Sequence, residues 1–199
     1  MKESILAGFM ISIGAAMYLV VGGTLGAFLF AIGLLTILCF KFSLFTGKAG
    51  LLTERKISSL ELLNIWIGNF CGAFIGACAL MLAGLGPKIV EPATAIINKR
   101  ISNTWYENLV LGIFCGILMY IAVTKWLHSV PFLTIMCVMG FILLGANHCV
   151  ADMVYTTIAT SSETWVPAGV ALIWTTIGNI IGTNLIPLFS LHKEEIQCD

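Results

Sequence analysis

The stretch "GANHCVADM", Gly145 to Met153, places an asparagine, a histidine and an aspartate in a run that is otherwise apolar. An imidazole in such a setting is costly unless it has a partner or meets water, and it can give or take a hydrogen bond or a proton. His148 is therefore a functional candidate by default. A second polar interruption, "KFSLFTGK" from Lys41 to Lys48, carries two ammonium groups and two hydroxyls. Lys41 has two readings, lining the path or carrying its charge to the interface on a flexible stem, whereas Lys48, beside "TERK", is expected to do the latter. Asp152 is expected either to orient His148 or repel anions, or to bond the broken backbone. His128 and His192, in polar surroundings, are expected at the surface.

The elements that hold these residues must be membrane spans. Of the 199 residues 59% are hydrophobic and 10% charged, against about 25% charged in ordinary soluble domains. The mean hydropathy is +1.00. Ten basic and ten acidic residues cancel and are mostly collected in short clusters between apolar stretches, so nothing points to a nucleic-acid partner. The seven cysteines lack the paired spacing of a zinc site; all but Cys198 fall in apolar runs and are expected to be small buried hydrophobes. No removable signal peptide is expected, since only Lys2 precedes the first apolar run and no cleavage site follows it.

Ser4–Gly22, Ser59–Ala83, Trp105–Thr124 and Val166–Phe189 each suit one crossing of about 20 residues. Thr24–Thr53 and Val130–Ala159 are too long for one straight helix, at roughly 45 Å against a hydrocarbon core of about 30 Å, and too short for two. Each contains one of the polar interruptions, so each is expected to break there. Irregular backbone at membrane depth requires burial in protein or a wet cavity.

"IGNFCG" at 67–72 recurs as "IGNIIG" at 177–182, and each follows a broken run. Three spans separate the copies, which inverts the second. The expected fold is therefore an all-α membrane protein of six transmembrane helices in two inverted three-helix repeats, about 4–83 and 105–189, with the second and fifth helices broken. An outer connecting loop covers about 84–104, and a polar cytoplasmic tail 190–199. Lys2, Arg55, Lys56, Lys125 and Lys193 against Lys88, Lys99 and Arg100 favour both termini inside, in the cell membrane. Trp105 and Trp126, about 31 Å apart on one helix, suit the two interfacial belts, and Trp165 opens the sixth span. Gly68, Gly72 and Gly76, and again Gly178 and Gly182, make stripes for close helix packing.

"AGFMISIG", "SLFTGKAG", "IGNFCGAFIG", "NHCVADM" and "IGNIIGTNLIP", in this order from Ala7 to Pro187, resemble the formate/nitrite transporter family. The resemblance implies an aquaporin-like protomer, a homopentamer in the lipid bilayer, and passage of small monovalent anions such as formate, nitrite or hydrosulfide. It implies that His148 is the central pore histidine, faced by Thr46, with Leu44 and Phe45 mobile beside it and Phe30, Leu34 and Phe141 as apolar constrictions. Asn147 stands where the family often has glutamate, Asp152 where it has asparagine, and Gly116 in place of an asparagine of the fourth span.

A bare anion loses much hydration energy in an apolar constriction, and a weak acid avoids that loss by becoming neutral. Half-helix N-termini and Lys41 are expected to draw the anion in, and His148 to donate a hydrogen bond or a proton. No cofactor, metal or enzymatic activity is expected. The rival readings are a water or small-solute channel of the same architecture, an intramembrane enzyme or haem protein, and a structural subunit. Neither break carries Asn-Pro-Ala, and only one histidine lies within a span.

Overall fold

Gly22 and Gly23, with φ of 67° and 55°, reverse the chain between α1 (Lys2–Val21) and α2 (Gly23–Cys39). The computed structural model of the protein describes residues 1–127, 130–159 and 161–197, without the side chains of Lys125, Leu127 and 191–197. The further helices are α3 (Phe45–Ala49), α4 (Ser59–Leu82), α5 (Gly86–Ser102), α6 (Trp105–Leu127), α7 (Pro131–Leu144), α8 (Cys149–Ala159) and α9 (Trp165–Gln197). The surface positions expected of His128 and His192, and the polar position of Cys198, lie outside the described side chains.

Long apolar helices α1, α4, α6 and α9 can each cross a membrane, and α7 with α8, bent by 50°, are together apolar enough to make a broken span. The other expected broken helix is less symmetrical. After α2 the chain leaves the helix at Phe40 to Leu44, and only the five residues of α3 follow before a series of turns.

Two helix starts are fixed locally. Ser58 accepts from the Glu61 amide at the start of α4, and Thr104 and Glu107 bond reciprocally at the start of α6. Such caps satisfy amides that have no partner in the first turn, each worth about 1 kcal/mol.

The glycine stripes are helix crossings, as expected. A Cβ on Gly72 would collide with the Ile5 carbonyl, and one on Gly8 with that of Asn69, where α1 meets α4. In the other half a Cβ on Gly182 would strike the Ile113 carbonyl and one on Gly116 that of Asn179, where α6 meets α9. Gly116 therefore has no room for the side chain that the resemblance led one to look for there.

Three expectations need correction. The connector at 84–104 is mostly helix α5, because Ile89, Ala93, Ile97 and Arg100 recur at helical spacing and are buried. This stripe packs α5 on α8, α1 and α9. Pro87 escapes the usual helix penalty because it sits in the first turn, whereas Pro92 lies inside the helix. The tail is not separate either, since α9 continues to Gln197. Finally, Cys39 and Cys71 are exposed on the apolar outer surface rather than buried, while Cys115, Cys137 and Cys149 are buried.

Candidate functional site

Both breaks begin with the same turn. In α7 the Gly145 and Ala146 amides donate to the carbonyls of Ile142 and Phe141; in α2 the Lys41 and Phe42 amides donate to those of Leu38 and Ile37. This is the Schellman closure, which needs a left-handed residue after the helix. Gly145 supplies it with φ 73°, and Lys41 supplies it with φ 58°. A lysine thus occupies a conformation that favours glycine, at a cost of about 1 kcal/mol.

An asparagine then holds each break. Asn179 Oδ1 accepts from the Cys149 amide at 2.9 Å, and its Nδ2 donates to the carbonyls of Asn147 at 2.8 Å and Gly112 at 2.9 Å. Asn69 Oδ1 accepts from the Phe45 amide at 2.7 Å, and its Nδ2 donates to the carbonyls of Ser43 at 2.9 Å and Ser4 at 2.8 Å. Each asparagine straddles one residue: His148 in the second break, Leu44 in the first.

The His148 ring joins the two breaks. Its Nε2 lies 3.0 Å from Thr46 Oγ1, and its Nδ1 accepts from the Ala151 amide at 3.2 Å. Because Nδ1 is the acceptor, a neutral ring carries its proton on Nε2 and donates it to Thr46. Phe141 stacks on the imidazole with centroids 5.5 Å apart, and Phe30 meets Phe141 edge-on at 6.0 Å.

The anion-cradling amides expected at the helix ends are partly occupied by the protein itself. Asn69 takes the first amide of α3, and Asn179 and His148 take those of Cys149 and Ala151 in α8. Several of the amides that would face a ligand are already satisfied by the protein.

Two cavities approach this centre from opposite sides. One, of about 190 Å³, is lined by Phe141, His148, Asp152, Tyr155, Lys99 and Arg100 among others. The other, of about 440 Å³, is lined by Leu34, Leu44, Lys41, Lys48, Trp126 and further apolar side chains. Phe30, Leu34, Leu44 and Phe141 are each at most 2% exposed. Lys48 lines the same cavity as Lys41 rather than standing apart from it.

Two of the singled-out residues lie elsewhere. The Asn147 amide group donates to Asn108 Oδ1 and Thr175 Oγ1, bracing the break against α6 and α9. Phe45 lines a groove with Leu62, Trp66 and Thr176. Asp152 pairs with Arg100 of α5, and Arg100 Nη1 donates to the Gly145 carbonyl at 3.3 Å. In the sequence Arg100 is legible only as a charge of a connecting segment, and Asn69 and Asn179 only as the shared third letter of "IGN". Among the described residues no cluster of histidine, cysteine and carboxylate groups is suited to a metal.

The family model for formate/nitrite transporters matches residues 1–192. The chain belongs to the formate/nitrite transporter family. Among curated family members it is 28% identical to formate channel FocA of Haemophilus influenzae, over 79% of this chain and 69% of that protein. It is also 28% identical to the formate-nitrite transporter of Plasmodium knowlesi, over 85% of this chain, and spans 63% of that relative's length. A solved FNT family ion channel superposes with a TM-score of 0.79 at 22% identity, covering 93% of this chain and 85% of the other. A pentameric formate channel with formate bound gives 0.76 at 24% identity, covering 99% and 96%. The protomer fold of these channels is therefore that of this chain, a multi-pass membrane protein.

Proposed function

We propose that the protein is a membrane channel for small monovalent weak-acid anions, of the class of formate, nitrite and hydrosulfide, with the path running between the two cavities past His148. The observation that carries this reading is the Thr46–His148 hydrogen bond, which joins the two broken helices between the cavity lined by Lys41 and Lys48 and the one lined by Lys99. Lys41 and Lys48 raise the anion concentration on one side, and Lys99 on the other, where the charge of Arg100 is offset by Asp152. Phe30, Leu34, Leu44 and Phe141 form the apolar stretch between them, where a bare charge is excluded and a neutral acid passes.

In this reading His148 is a hydrogen-bond donor through Nε2 rather than a proton store. Protonating Nδ1 would set two N–H groups against each other, because the Ala151 amide already points at that atom. The fraction of the anion that meets hydronium in the vestibule becomes the neutral acid and water, and the acid exchanges with Thr46 for the imidazole N–H as it passes.

The assembly goes with this function as a homopentamer, with apolar side chains such as Leu63, Ile67, Phe70 and Phe74 of α4 and Ile173, Ile177 and Ile181 of α9 turned outward toward lipid and neighbouring protomers. The two halves are inverted repeats, both termini face the cytoplasm, and the membrane is the cell membrane. Uptake into proteoliposomes tests the reading. Formate, nitrite, hydrosulfide and lactate should enter faster than chloride, the anion of a strong acid; equal chloride flux, or faster swelling in glycerol than in formate, would replace this function by another.

A further inference from the structure

We propose that Asn69 and Asn179 are positioning residues of the anion path, each setting one partner of the Thr46–His148 hydrogen bond by holding the backbone at the centre of its break. This rests on the reading that the path passes His148. Asn179 bonds the carbonyl of Asn147 and the amide of Cys149, the two neighbours of His148, and leaves His148 between them. With the backbone pinned on both sides, the imidazole is directed to the opposite half, where Thr46 stands. Asn69 does the same around Leu44 and fixes the Phe45 amide, one residue before Thr46.

The third bond of each asparagine ties the break to a long helix: Asn179 to α6 through Gly112, and Asn69 to α1 through Ser4. Both asparagines are fully buried. A side-chain amide is suited to this task because it presents one acceptor and two donors in a plane, matching one amide and two carbonyls. Three satisfied bonds in a dry interior hold the break in one arrangement, where loss of the side chain leaves one amide and two carbonyls in search of partners. The correspondence between halves extends to the centre: Leu44 and His148 stand at the same place in their clamps, so one half presents an apolar side chain to the path and the other a polar one. The difference between the halves then lies in the residue presented, and the presenting frame is common to both.

Such a role differs from general stabilisation in what it acts through. Asn179 should affect permeation by way of His148, so its loss should matter little once the imidazole is gone. The test is a double-mutant cycle on formate uptake by purified protein in proteoliposomes, with oligomer size measured for every variant. Asn179→Ala should lower formate flux about tenfold in the wild-type background and less than about twofold further in His148→Asn, since residues that act as one unit are not additive. Asn69→Ala paired with Thr46→Val should follow the same pattern. Asn184→Ala is the comparison, because Asn184 also bonds backbone, at Ala49 and Thr53, without touching either break centre. It should change flux less than about twofold.

Losses that multiply in the Asn179/His148 pair would overturn the positioning role while leaving the path through His148 intact. Wild-type flux in His148→Asn would instead overturn the path. Should Asn179→Ala fail to assemble, Asn179→Ser replaces it in the cycle; failure of both would assign the asparagine to folding alone and overturn the proposal.

Discussion

Arg100 Nε lies 3.5 Å from Asp152 Oδ1, with side-chain exposures of only 9% and 4%. The pair joins the amphipathic α5 to the first turn of α8, one turn beyond His148, and Arg100 also holds the carbonyl of Gly145 at the other end of the break. Buried charges of opposite sign depend on each other: removing one leaves the other desolvated and unpaired, at a cost of about 3–5 kcal/mol, whereas removing both is far less damaging. Arg100→Met or Asp152→Leu alone should therefore lower the melting temperature in detergent more than the two together. A double variant less stable than either single one would show that the pair is not a mutual dependence.

His148→Phe should reduce weak-acid anion flux to near background while oligomer size is kept. The ring fills the centre with apolar volume and removes the donor to Thr46, without disturbing the backbone bonds made by residues 147 and 149. Flux measured in proteoliposomes at the wild-type rate, with normal assembly, would make the imidazole a structural group.

The spans and the two breaks were legible because run length, set against bilayer thickness, leaves few alternatives. The central pair was legible only through resemblance: nothing in the spacing of Thr46 and His148 brings them together, since the contact is made between halves of the chain. Arg100 was hidden by composition. A basic residue beside Lys99 in a segment too polar to cross reads as a loop, and only the stripe Ile89, Ala93, Ile97 turns it inward. Asn147 misled in the opposite way, being next to the histidine in sequence while its side chain braces α6 and α9. Adjacent residues at a break point apart, so sequence proximity to His148 says little about proximity to the path.

The exposed end of α5 offers a test of orientation. Ser102 is exposed and closes that helix, so with both termini in the cytoplasm Ser102→Cys should react with a membrane-impermeant maleimide in intact cells, after the other exposed cysteines are replaced. Labelling confined to inverted vesicles would reverse the topology.

Lys41 separates conformation from charge. Its φ of 58° is the glycine conformation, and the equivalent turn of the other half uses Gly145. Lys41→Gly should therefore stabilise the fold slightly, by at most about 1 kcal/mol, since the left-handed strain disappears. If the ammonium concentrates the anion, the same change should impair formate uptake at low substrate and low ionic strength. Salt should narrow the gap from wild type as the Debye length falls from roughly 30 Å at 0.01 M to about 10 Å at 0.1 M. Lys48→Gln should show a defect of the same kind, as both side chains line one cavity. A more stable Lys41→Gly protein with a salt-sensitive loss of flux would mean that the lysine is retained for its charge against the preference of its own backbone. A variant that conducts like wild type at low salt, or whose defect salt leaves unchanged, would mean that the ammonium has no part in drawing anions to the cavity it lines.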